Sequence, residues 1–301
     1  MSKSFGRVQA VDSLSFSVQK GTITGLLGRN GAGKTTTLRM INGIFLADSG
    51  SIELLGAASA AEVRDRVGYL PEERGLYRKM KVIEQLLFLA EIKGVPPAVA
   101  RPRAEQWLRR FELWDKRSGK LEELSKGNQQ KVQLIGALIH DPELVILDEP
   151  ASGLDPVNVV LVRTILLELR AAGKTILLST HLMGEAERMV DRIVLIDQGR
   201  SVLQGGLEEV RASFGSDTVH LGFEGDGAFL AELPGVRRAS VDGNAAEIGL
   251  EPGTDPQAVL EAAVARLRVR RFEVAEPSLE AIFLERVGAA GEAAEAAGGA
   301  A

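Results

Sequence analysis

Cysteine is absent from this 301-residue sequence, so neither a disulfide nor a thiolate metal site can form. No window contains the ~18–20 uncharged apolar residues that a membrane-spanning helix needs, and residues 1–6 lack the apolar core of a signal peptide. Basic runs interleaved with aromatic residues are also missing, and the formal charge is −5 with a pI near 5.5. This composition suits a globular protein of a reducing compartment, and it argues against a nucleic-acid-binding surface as the main function.

The most informative stretch is residues 28–36, which read Gly-Arg-Asn-Gly-Ala-Gly-Lys-Thr-Thr and match the phosphate-binding pattern G-x-x-x-x-G-K-[ST]. An apolar run at residues 23–27 precedes this P-loop and predicts a buried strand, and a helix start follows it. A strand, a loop and a helix in this order direct backbone N–H groups and the positive end of a helix dipole at one point. The predicted nucleotide-binding residues are Gly28, Arg29, Asn30, Gly31, Ala32, Gly33, Lys34, Thr35 and Thr36, with Lys34 on the β- and γ-phosphates and the Thr35 hydroxyl on Mg²⁺.

Strands alternate with helices up to about residue 213, which predicts an α/β domain with a mainly parallel sheet at residues 1–213. Alternating or apolar runs predict strands at residues 14–18, 23–27, 51–55, 67–70, 144–147 and 175–178, and a hairpin at 192–197 and 201–204. Helical periodicity occurs at residues 82–92, 104–111, 125–139 and 156–172. The helices between about residues 76 and 140 are predicted to form an inserted helical subdomain.

The order of predicted strands and helices changes beyond residue 213. Strands at 219–223, 236–241, 245–250 and 269–274, with helices at 228–233 and 255–267, give the order β-α-β-β-α-β of a small ferredoxin-like α+β domain. A last helix is predicted at 278–287, which completes a C-terminal accessory domain at residues 214–287. Residues 288–301 contain only Ala, Gly and Glu and are predicted to be disordered.

Two adjacent acids, Asp148 and Glu149, end the apolar run at residues 144–147. Asp148, at the tip of a buried strand, can hold Mg²⁺ through water, and Glu149 can orient or deprotonate an attacking water. Two acids at a strand end could also be merely solvated. Together with the P-loop, however, they favour a site that hydrolyses a nucleoside triphosphate.

The third motif lies at residues 124–131, which read Leu-Ser-Lys-Gly-Asn-Gln-Gln-Lys, where Ser125 can cap the following helix. Here the sequence resembles the ATP-binding subunits of ABC transporters, whose signature begins Leu-Ser-Gly-Gly-Gln, and the resemblance covers residues 3–213 with the motifs in the family's order. It implies that Asp155 belongs to the loop that links two ATP sites and that His181 is the switch histidine that touches the γ-phosphate. By position, Phe5 would be the aromatic residue that stacks on adenine.

The other two histidines, His140 and His220, match no motif, and we interpret them as structural. The resemblance implies ATP and Mg²⁺ as cofactors. It also implies that the signature of one chain meets the ATP held by a second chain, so that two copies enclose two ATP molecules. Since one chain carries one full set of motifs, a homodimer with two competent sites is the simplest arrangement.

Three features depart from the family's usual pattern. Lys126 and Asn128 replace Gly and Gln in the signature, whereas the donors at Ser125 and Gly127 remain. Glu72 stands where most members have a Gln that ligates Mg²⁺ and faces the membrane subunit, and a carboxylate can also bind Mg²⁺. The edge strand that usually precedes the aromatic loop is not seen, as expected of a misplaced start codon or a shortened chain.

The loop at residues 71–77, Pro-Glu-Glu-Arg-Gly-Leu-Tyr, looks like a variant found in bacterial export ATPases of the sodium-extruding group. Residues 277–283, Pro-Ser-Leu-Glu-Ala-Ile-Phe, are similar by position to the closing helix of the accessory domain in those ATPases. The resemblance therefore implies the ATP-hydrolysing subunit of an exporter. Such a subunit would lie peripherally at the cytoplasmic face of the membrane, held there by a separate transmembrane permease subunit.

Two other classes are open to a P-loop protein. A soluble ABC-type ATPase that acts on nucleic acid or ribosomes generally has two cassettes in one chain, a long coiled-coil insertion or a basic face, and none of these is visible here. A P-loop kinase would lack the signature helix, and a GTPase would show an Asn/Lys-x-Asp motif that we do not find. The sequence therefore favours the transporter subunit, and it leaves the cargo open.

Overall fold

The computed structural model describes residues 1–73, 75–214, 218–251, 253–275 and 277–287. The chain divides into two compact units, a first unit at Met1–Gln204 and a second unit that begins at Gly205. This division comes nine residues before the boundary that the change in the order of elements suggested at residue 213. The tail at residues 288–301, which is predicted to be disordered, and Arg74 of the loop at residues 71–77 lie outside the described residues.

A six-stranded sheet with the order β4-β5-β6-β3-β7-β8 forms the centre of the first unit. Strands β3 to β7 pair in parallel, as predicted, and every residue of β3, β5 and β6 is buried. Such burial on both faces explains why these strands read as unbroken apolar runs. The strands of this unit are β1 (Lys3–Phe5), β2 (Val8–Val11), β3 (Ile23–Leu27), β4 (Val67–Leu70), β5 (Leu144–Asp148), β6 (Thr175–Thr180), β7 (Arg192–Asp197) and β8 (Arg200–Gly206).

The helices of the first unit follow the predicted order with one correction. They are α1 (Lys34–Ile41), α2 (Val82–Ile92), α3 (Pro97–Arg110), α4 (Lys126–Leu138), α5 (Pro156–Ala171) and the short α6 (Met183–Ala186). The prediction that α3 starts near residue 104 was wrong, because Pro97 begins the helix instead of separating two elements. Proline fits the first helical turn, where its missing N–H would have no partner. Helices α2, α3 and α4 lie between β4 and β5 in sequence, where the helical insertion was predicted.

Two predicted strands are absent from the described part of the chain. Residues 14–18 show the expected alternation of burial but pair in no ladder, and residues 51–55 contain only an isolated bridge from Leu54 to Ala57. Leu14 is fully buried, and Phe16 and Val18 pack against the core that includes Leu26. The alternation therefore reports burial correctly. A strand also needs a neighbouring backbone to bond with, and a pattern in the sequence does not supply one.

The second unit contains a four-stranded antiparallel sheet with the order β10-β11-β9-β12. This order is that of the predicted ferredoxin-like domain. Its core is formed by the apolar residues of one sheet face and of one helix, among them Leu221, Phe223, Ile248 and Val259. The elements are α7 (Leu207–Ser213), β9 (Thr218–Glu224), β10 (Val236–Asp242), β11 (Ala245–Leu250), α8 (Pro256–Val264), β12 (Arg268–Ala275) and a closing helix at residues 279–287.

The first predicted helix of this domain, at residues 228–233, was wrong in type. The segment Ala228–Glu232 forms a 3₁₀ helix, and Gly227 before it lies so close to the Phe223 ring that a Cβ there would be 2.4 Å from the ring. The segment is therefore closely packed where it begins, and it forms a short 3₁₀ helix and not a full α-helix. Over the described residues, none of the helices is both long and apolar enough to cross a membrane.

Candidate functional site

The P-loop joins β3 to α1 and lies at the carboxyl end of the parallel sheet. Gly33 has a φ of 103°, and a Cβ at this position would lie 2.4 Å from the Ala10 carbonyl oxygen, so glycine is required there. Gly28 is equally constrained, since a Cβ would approach the Ile196 carbonyl oxygen to 2.2 Å. A cleft opens in front of the loop, lined by Ala10, Asn30, Gly31, Gly33, Lys34, Thr35, Thr36, Glu72 and Glu149.

Lys34 is bound to its own loop in this structure. Its Nζ donates to the carbonyl oxygens of Gly28 at 2.8 Å and Arg29 at 3.1 Å, and it lies 3.5 Å from Glu149 Oε1. Only 6 % of the residue is exposed, so these contacts compensate the cost of burying the ammonium. The geometry brings the predicted phosphate-binding lysine and the predicted catalytic carboxylate into one buried ion pair.

Asp148 ends β5 and is fully buried beside the P-loop threonine. Its Oδ1 accepts a hydrogen bond from Ser179 Oγ at 2.5 Å and another from Thr35 Oγ1 at 3.2 Å. Thr35 Oγ1 also lies 3.4 Å from Glu72 Oε2, so the three predicted metal-binding residues are brought together.

The second oxygen of Asp148, Oδ2, is buried without a hydrogen-bond partner among the described residues. Burial raises the pKa of the Asp148 carboxyl, and the nearby carboxylates of Glu72 and Glu149 raise it further. A buried, incompletely bonded carboxylate among other acids is a favourable position for a cation. The oxygen donors of Thr35, Asp148 and Glu72 are of the type that Mg²⁺ prefers.

Glu149 lies between the side chains of Lys34 and His181. His181 Nδ1 lies 3.0 Å from Glu149 Oε1, the oxygen that also faces Lys34, and the Glu149 N–H donates to Ser179 at 3.2 Å. Its φ of 50° places a residue with a side chain in the left-handed region, a conformation that costs free energy and is concentrated at functional sites. Glu149 is thus aimed into the cleft by a strained backbone and fixed there by His181.

Ser179 is a site residue that the sequence reasoning missed. It is the second-last residue of β6 and lies directly opposite Asp148 in the parallel register, so its hydroxyl reaches the Asp148 carboxylate while its oxygens accept the Glu149 N–H. A hydroxyl residue at the end of the strand next to an acid-tipped strand was the available signal. Knowing that the two strands are neighbours was necessary to use it.

The predicted signature residues lie outside the cleft. Ser125 is the N-cap of α4, and its Oγ accepts from the Asn128 N–H at 3.3 Å, as predicted for a helix start. Ser125 and Lys126 are exposed, and Gly127 and Asn128 are half-buried. None of these four residues is among the described residues that line the P-loop cleft.

Two more predicted residues have structural contacts of their own. Asp155 is exposed and caps α5, accepting from the Asn158 N–H at 2.9 Å, and the pKa of its carboxyl is lowered by hydrogen bonds from Asn158. Phe5, 44 % exposed on β1, contacts Phe45 edge-on with ring centroids 5.4 Å apart, and it does not line the cleft. The stacking of Phe5 on adenine stays a prediction.

His140 has the structural contacts that were expected of it. The ring lies 3.1 Å from the Val67 carbonyl oxygen through Nε2, and burial lowers its pKa to about 4, with the Lys93 ammonium adding to the effect. The histidine therefore stays neutral at pH 7 and away from the P-loop cleft.

Models of two known protein families match parts of this chain. A family model described as ABC transporter matches residues 11–152, and one described as the C-terminal domain of DrrA1-3-like ATP-binding proteins matches residues 205–287. The chain is 42 % identical to the ABC transporter ATP-binding protein YhaQ of Bacillus subtilis, over 96 % of this chain and 97 % of that one.

Two further likenesses each cover about seven tenths of this chain. The Nod factor export ATP-binding protein I of Ralstonia nicotianae is 40 % identical over 73 % of this chain and 70 % of its own length. A solved structure of an ATP-binding subunit of an ABC transporter superposes with a TM-score of 0.67 at 34 % identity, covering 71 % of this chain and 90 % of that one.

Proposed function

The chain belongs to the family of ABC transporter ATP-binding proteins, and on this premise we propose that it hydrolyses ATP at the P-loop cleft to drive a separate membrane subunit. The observation that carries the proposal is the buried Glu149 carboxylate, which lies against Lys34 and His181 at the mouth of the P-loop. A carboxylate in this position can take a proton from a water that attacks a phosphate held by the loop.

The contacts of Lys34 suggest how phosphate binding prepares the base. The β- and γ-phosphates of ATP would draw the Lys34 ammonium away from the Gly28 and Arg29 carbonyls and from Glu149. Glu149 would then lose its cationic neighbour and become a better proton acceptor, while His181 at 3.0 Å keeps it oriented. Binding and activation are thus linked through one lysine.

Thr35, Asp148 and Glu72 would hold Mg²⁺. When bound, this ion neutralises charge on the β- and γ-phosphates. Ser179 would keep Asp148 in position by donating to Oδ1, which leaves Oδ2, without a partner among the described residues, for the ion or its water. The pKa of Asp148, raised by burial, would fall once a cation arrives, so binding of the ion and ionisation of the carboxyl would support each other.

The position of the signature residues 125–128 supports a dimer as the working unit. Ser125 and Gly127 offer donors at a helix N-terminus that does not line this chain's own cleft, and such a terminus favours phosphate. A second copy would bring its P-loop and bound ATP to this surface, with Asp155 near the junction. Two identical chains would then form two equivalent sites.

Export is the direction that the comparisons favour. A Nod factor export protein is among the relatives, and the second unit matches the DrrA1-3-like C-terminal domain. We therefore infer an exporter subunit, peripheral at the cytoplasmic membrane face and bound to a permease, and the charged loop near Glu72 further suggests the sodium-extruding group. The alternative of a soluble ATPase on nucleic acid gains no support from an acidic chain of this composition.

Replacement of Glu149 by Gln tests the proposal most directly. We expect ATP affinity within about twofold of the wild type, turnover lowered by about 10²–10³-fold, and a dimer that accumulates with ATP and Mg²⁺. Phosphate release, binding of a fluorescent ATP analogue and light scattering after gel filtration measure the three quantities.

Glu143→Gln is the matched control, because Glu143 is exposed and bonded to Arg66 away from the cleft. It should hydrolyse ATP normally. Normal turnover in Glu149→Gln would refute the assignment of the base. Co-purification of the wild-type chain with a polytopic membrane protein tests the inferred partner separately.

A further inference from the structure

Lys131 lies in an unusual environment for a lysine. It belongs to α4, six residues beyond the signature serine, and only 4 % of it is exposed. Its ammonium forms no ion pair within the described part of the chain, and its Nζ donates to a neutral amide oxygen, Asn158 Oδ1, at 2.9 Å. Burial lowers its pKa, whereas the more distant Glu112 and Asp155 oppose the shift.

Such a lysine is expensive for the fold. A buried ammonium without a carboxylate costs free energy that Leu or Met at the same position would not, so stability alone does not explain it. Its single polar partner, however, connects it to a site residue. Asn158 Nδ2 donates to Asp155 Oδ2 at 2.6 Å, and the Asn158 N–H donates to Asp155 Oδ1 at 2.9 Å.

The amide of Asn158 therefore stands between a cation and an anion. The charge of Lys131 polarises the amide toward Asp155, which strengthens both hydrogen bonds of the chain. Lys131 is thereby connected to Asp155, which caps α5 and belongs to the loop that is predicted to link the two ATP sites. We call this chain, Lys131–Asn158–Asp155, the relay.

Two further contacts join α4 to the segment that leads from Glu149 to the relay. Gln130 Nε2 lies 3.5 Å from the Pro150 carbonyl oxygen, directly after Glu149. A methyl group at Gly127 would lie 3.5 Å from both the Gly153 carbonyl oxygen and Leu154 Cδ2, so the signature glycine lies close to the loop before Asp155. Helix α4 thus bonds the segment near its beginning and at its end, and it comes close to its middle.

We propose that Lys131 is a positioning residue that holds residues 149–158 against the N-terminal turns of α4. On the proposed function, the start of α4 meets the partner's ATP while Glu149 serves the chain's own ATP. The relay therefore makes the two half-sites of one chain move as a single piece. A partner's ATP that docks on Ser125 would also fix the segment that carries Glu149.

Lys131→Met tests this role, because Met keeps the length of the side chain and removes the charge. In the nucleotide-free full chain we expect amide hydrogen exchange at residues 151–158 to become about tenfold faster. Lys131→Arg should restore slow exchange, since it keeps the charge and a donor. Lys93→Met is the control, because Lys93 is a half-buried lysine whose Nζ bonds the Arg64 and Val67 carbonyls and not the relay.

The second measurement uses ATP and Mg²⁺ in the Glu149→Gln background. We expect Lys131→Met to weaken the ATP-bound dimer at least about tenfold, with the affinity of the monomer for ATP within about twofold. Asn158→Ala should have the same effect, and the double variant should be no worse than either single one, since all three remove the same chain of bonds.

The outcomes separate the two proposals. Unchanged exchange at residues 151–158 in Lys131→Met overturns the positioning role, as does faster exchange with an unaltered dimer. Faster exchange together with a weaker dimer that Lys131→Arg restores supports it. If Glu149→Gln alone forms no dimer, the dimeric function fails, while the exchange data still decide whether Lys131 holds the segment.

Discussion

The two sheets of this molecule differ in how deeply their charged residues are buried. At the carboxyl end of the parallel sheet, Lys34, Asp148 and Glu149 are buried, and one Asp148 oxygen has no partner among the described residues. On the antiparallel sheet, charged residues lie nearer the surface in cross-strand or neighbouring pairs, such as Arg238 with Glu247 and Arg270 with Glu224.

The difference shows where the chain accepts a cost in stability. A buried and incompletely bonded carboxylate destabilises a fold unless a ligand completes its contacts, whereas a surface pair changes stability little in either direction. Among the described residues, the deeply buried cluster of charged side chains lies at the parallel sheet, where a ligand could complete the contacts of Asp148. The charged pairs of the antiparallel sheet are more exposed to solvent. Four substitutions sharpen or break this contrast.

Lys34→Met should have the largest effect. The change removes the charge that the phosphates would attract, so we expect ATP hydrolysis to fall by about 10³-fold, as measured by phosphate release. Arg238→Met, which removes a cation paired with Glu247 in the second unit, is the matched comparison. It should leave hydrolysis within about twofold and lower stability by about 1 kcal/mol in chemical denaturation. Equal losses of activity in both variants would break the contrast.

Phe223→Ala should destabilise the second unit by about 3 kcal/mol, because Phe223 is 1 % exposed in the core of the antiparallel sheet. Hydrogen exchange at β9, β11 and β12 measures the change. We expect ATP binding at the P-loop to stay within about twofold of the wild type. Loss of ATP binding in this variant would show that the P-loop depends on the stability of the second unit, so that the two units do not fold independently.

Ser179→Ala should lower turnover by about tenfold. Asp148 Oδ1 would lose the donor that lies at 2.5 Å, and the carboxylate would be less well oriented for Mg²⁺. A titration of activity against Mg²⁺ should show a weaker apparent affinity for the ion. Ser240→Ala, on β10 of the second unit, serves as control and should change neither quantity.

His140→Gln should have the smallest effect, and only in acid. The pKa of His140 is about 4 when folded and 6.5 when unfolded, so its contribution to stability is complete above pH 6.5 and is lost as pH falls toward 4. We expect the wild type to lose about 1 kcal/mol from this residue between pH 7 and pH 5, since partial exposure of the ring screens the effect.

Urea denaturation at the two pH values measures this loss, which the Gln variant should not show. His220→Gln, on β9, should keep the acid sensitivity of the wild type. A variant of His140 that loses as much stability in acid as the wild type would show that other groups dominate.

The sequence predicts those parts of the fold that depend on local patterns. The strand β3, the loop at residues 28–36 and the acid pair at the end of β5 each lie within one short stretch of sequence, so spacing alone predicts them. Ser179 is different, because its importance depends on β6 lying beside β5 in a register that places it opposite Asp148. No local pattern contains that information.

The strand that was wrongly predicted at residues 14–18 has the same origin. These residues have the alternation of a strand, but their hydrogen-bond partners depend on what lies beside them. The contact of the Phe5 ring with Phe45, a residue 40 positions away, was also beyond any local pattern, and the stacking of Phe5 on adenine stays a prediction. Likewise, the left-handed backbone of Glu149 was not foreseen, since glutamate has no preference for that conformation.

The resting position of Lys34 also bears on which anions the cleft accepts. The lysine already has the Gly28 and Arg29 carbonyls and Glu149 as internal ligands, so an arriving anion must displace them. A small anion such as sulfate or free phosphate offers few contacts in return, while a triphosphate chain can engage the whole loop. The Glu149 carboxylate and the two carbonyl groups thus compete with an incoming anion for Lys34, and we expect this competition to favour a triphosphate over sulfate or free phosphate.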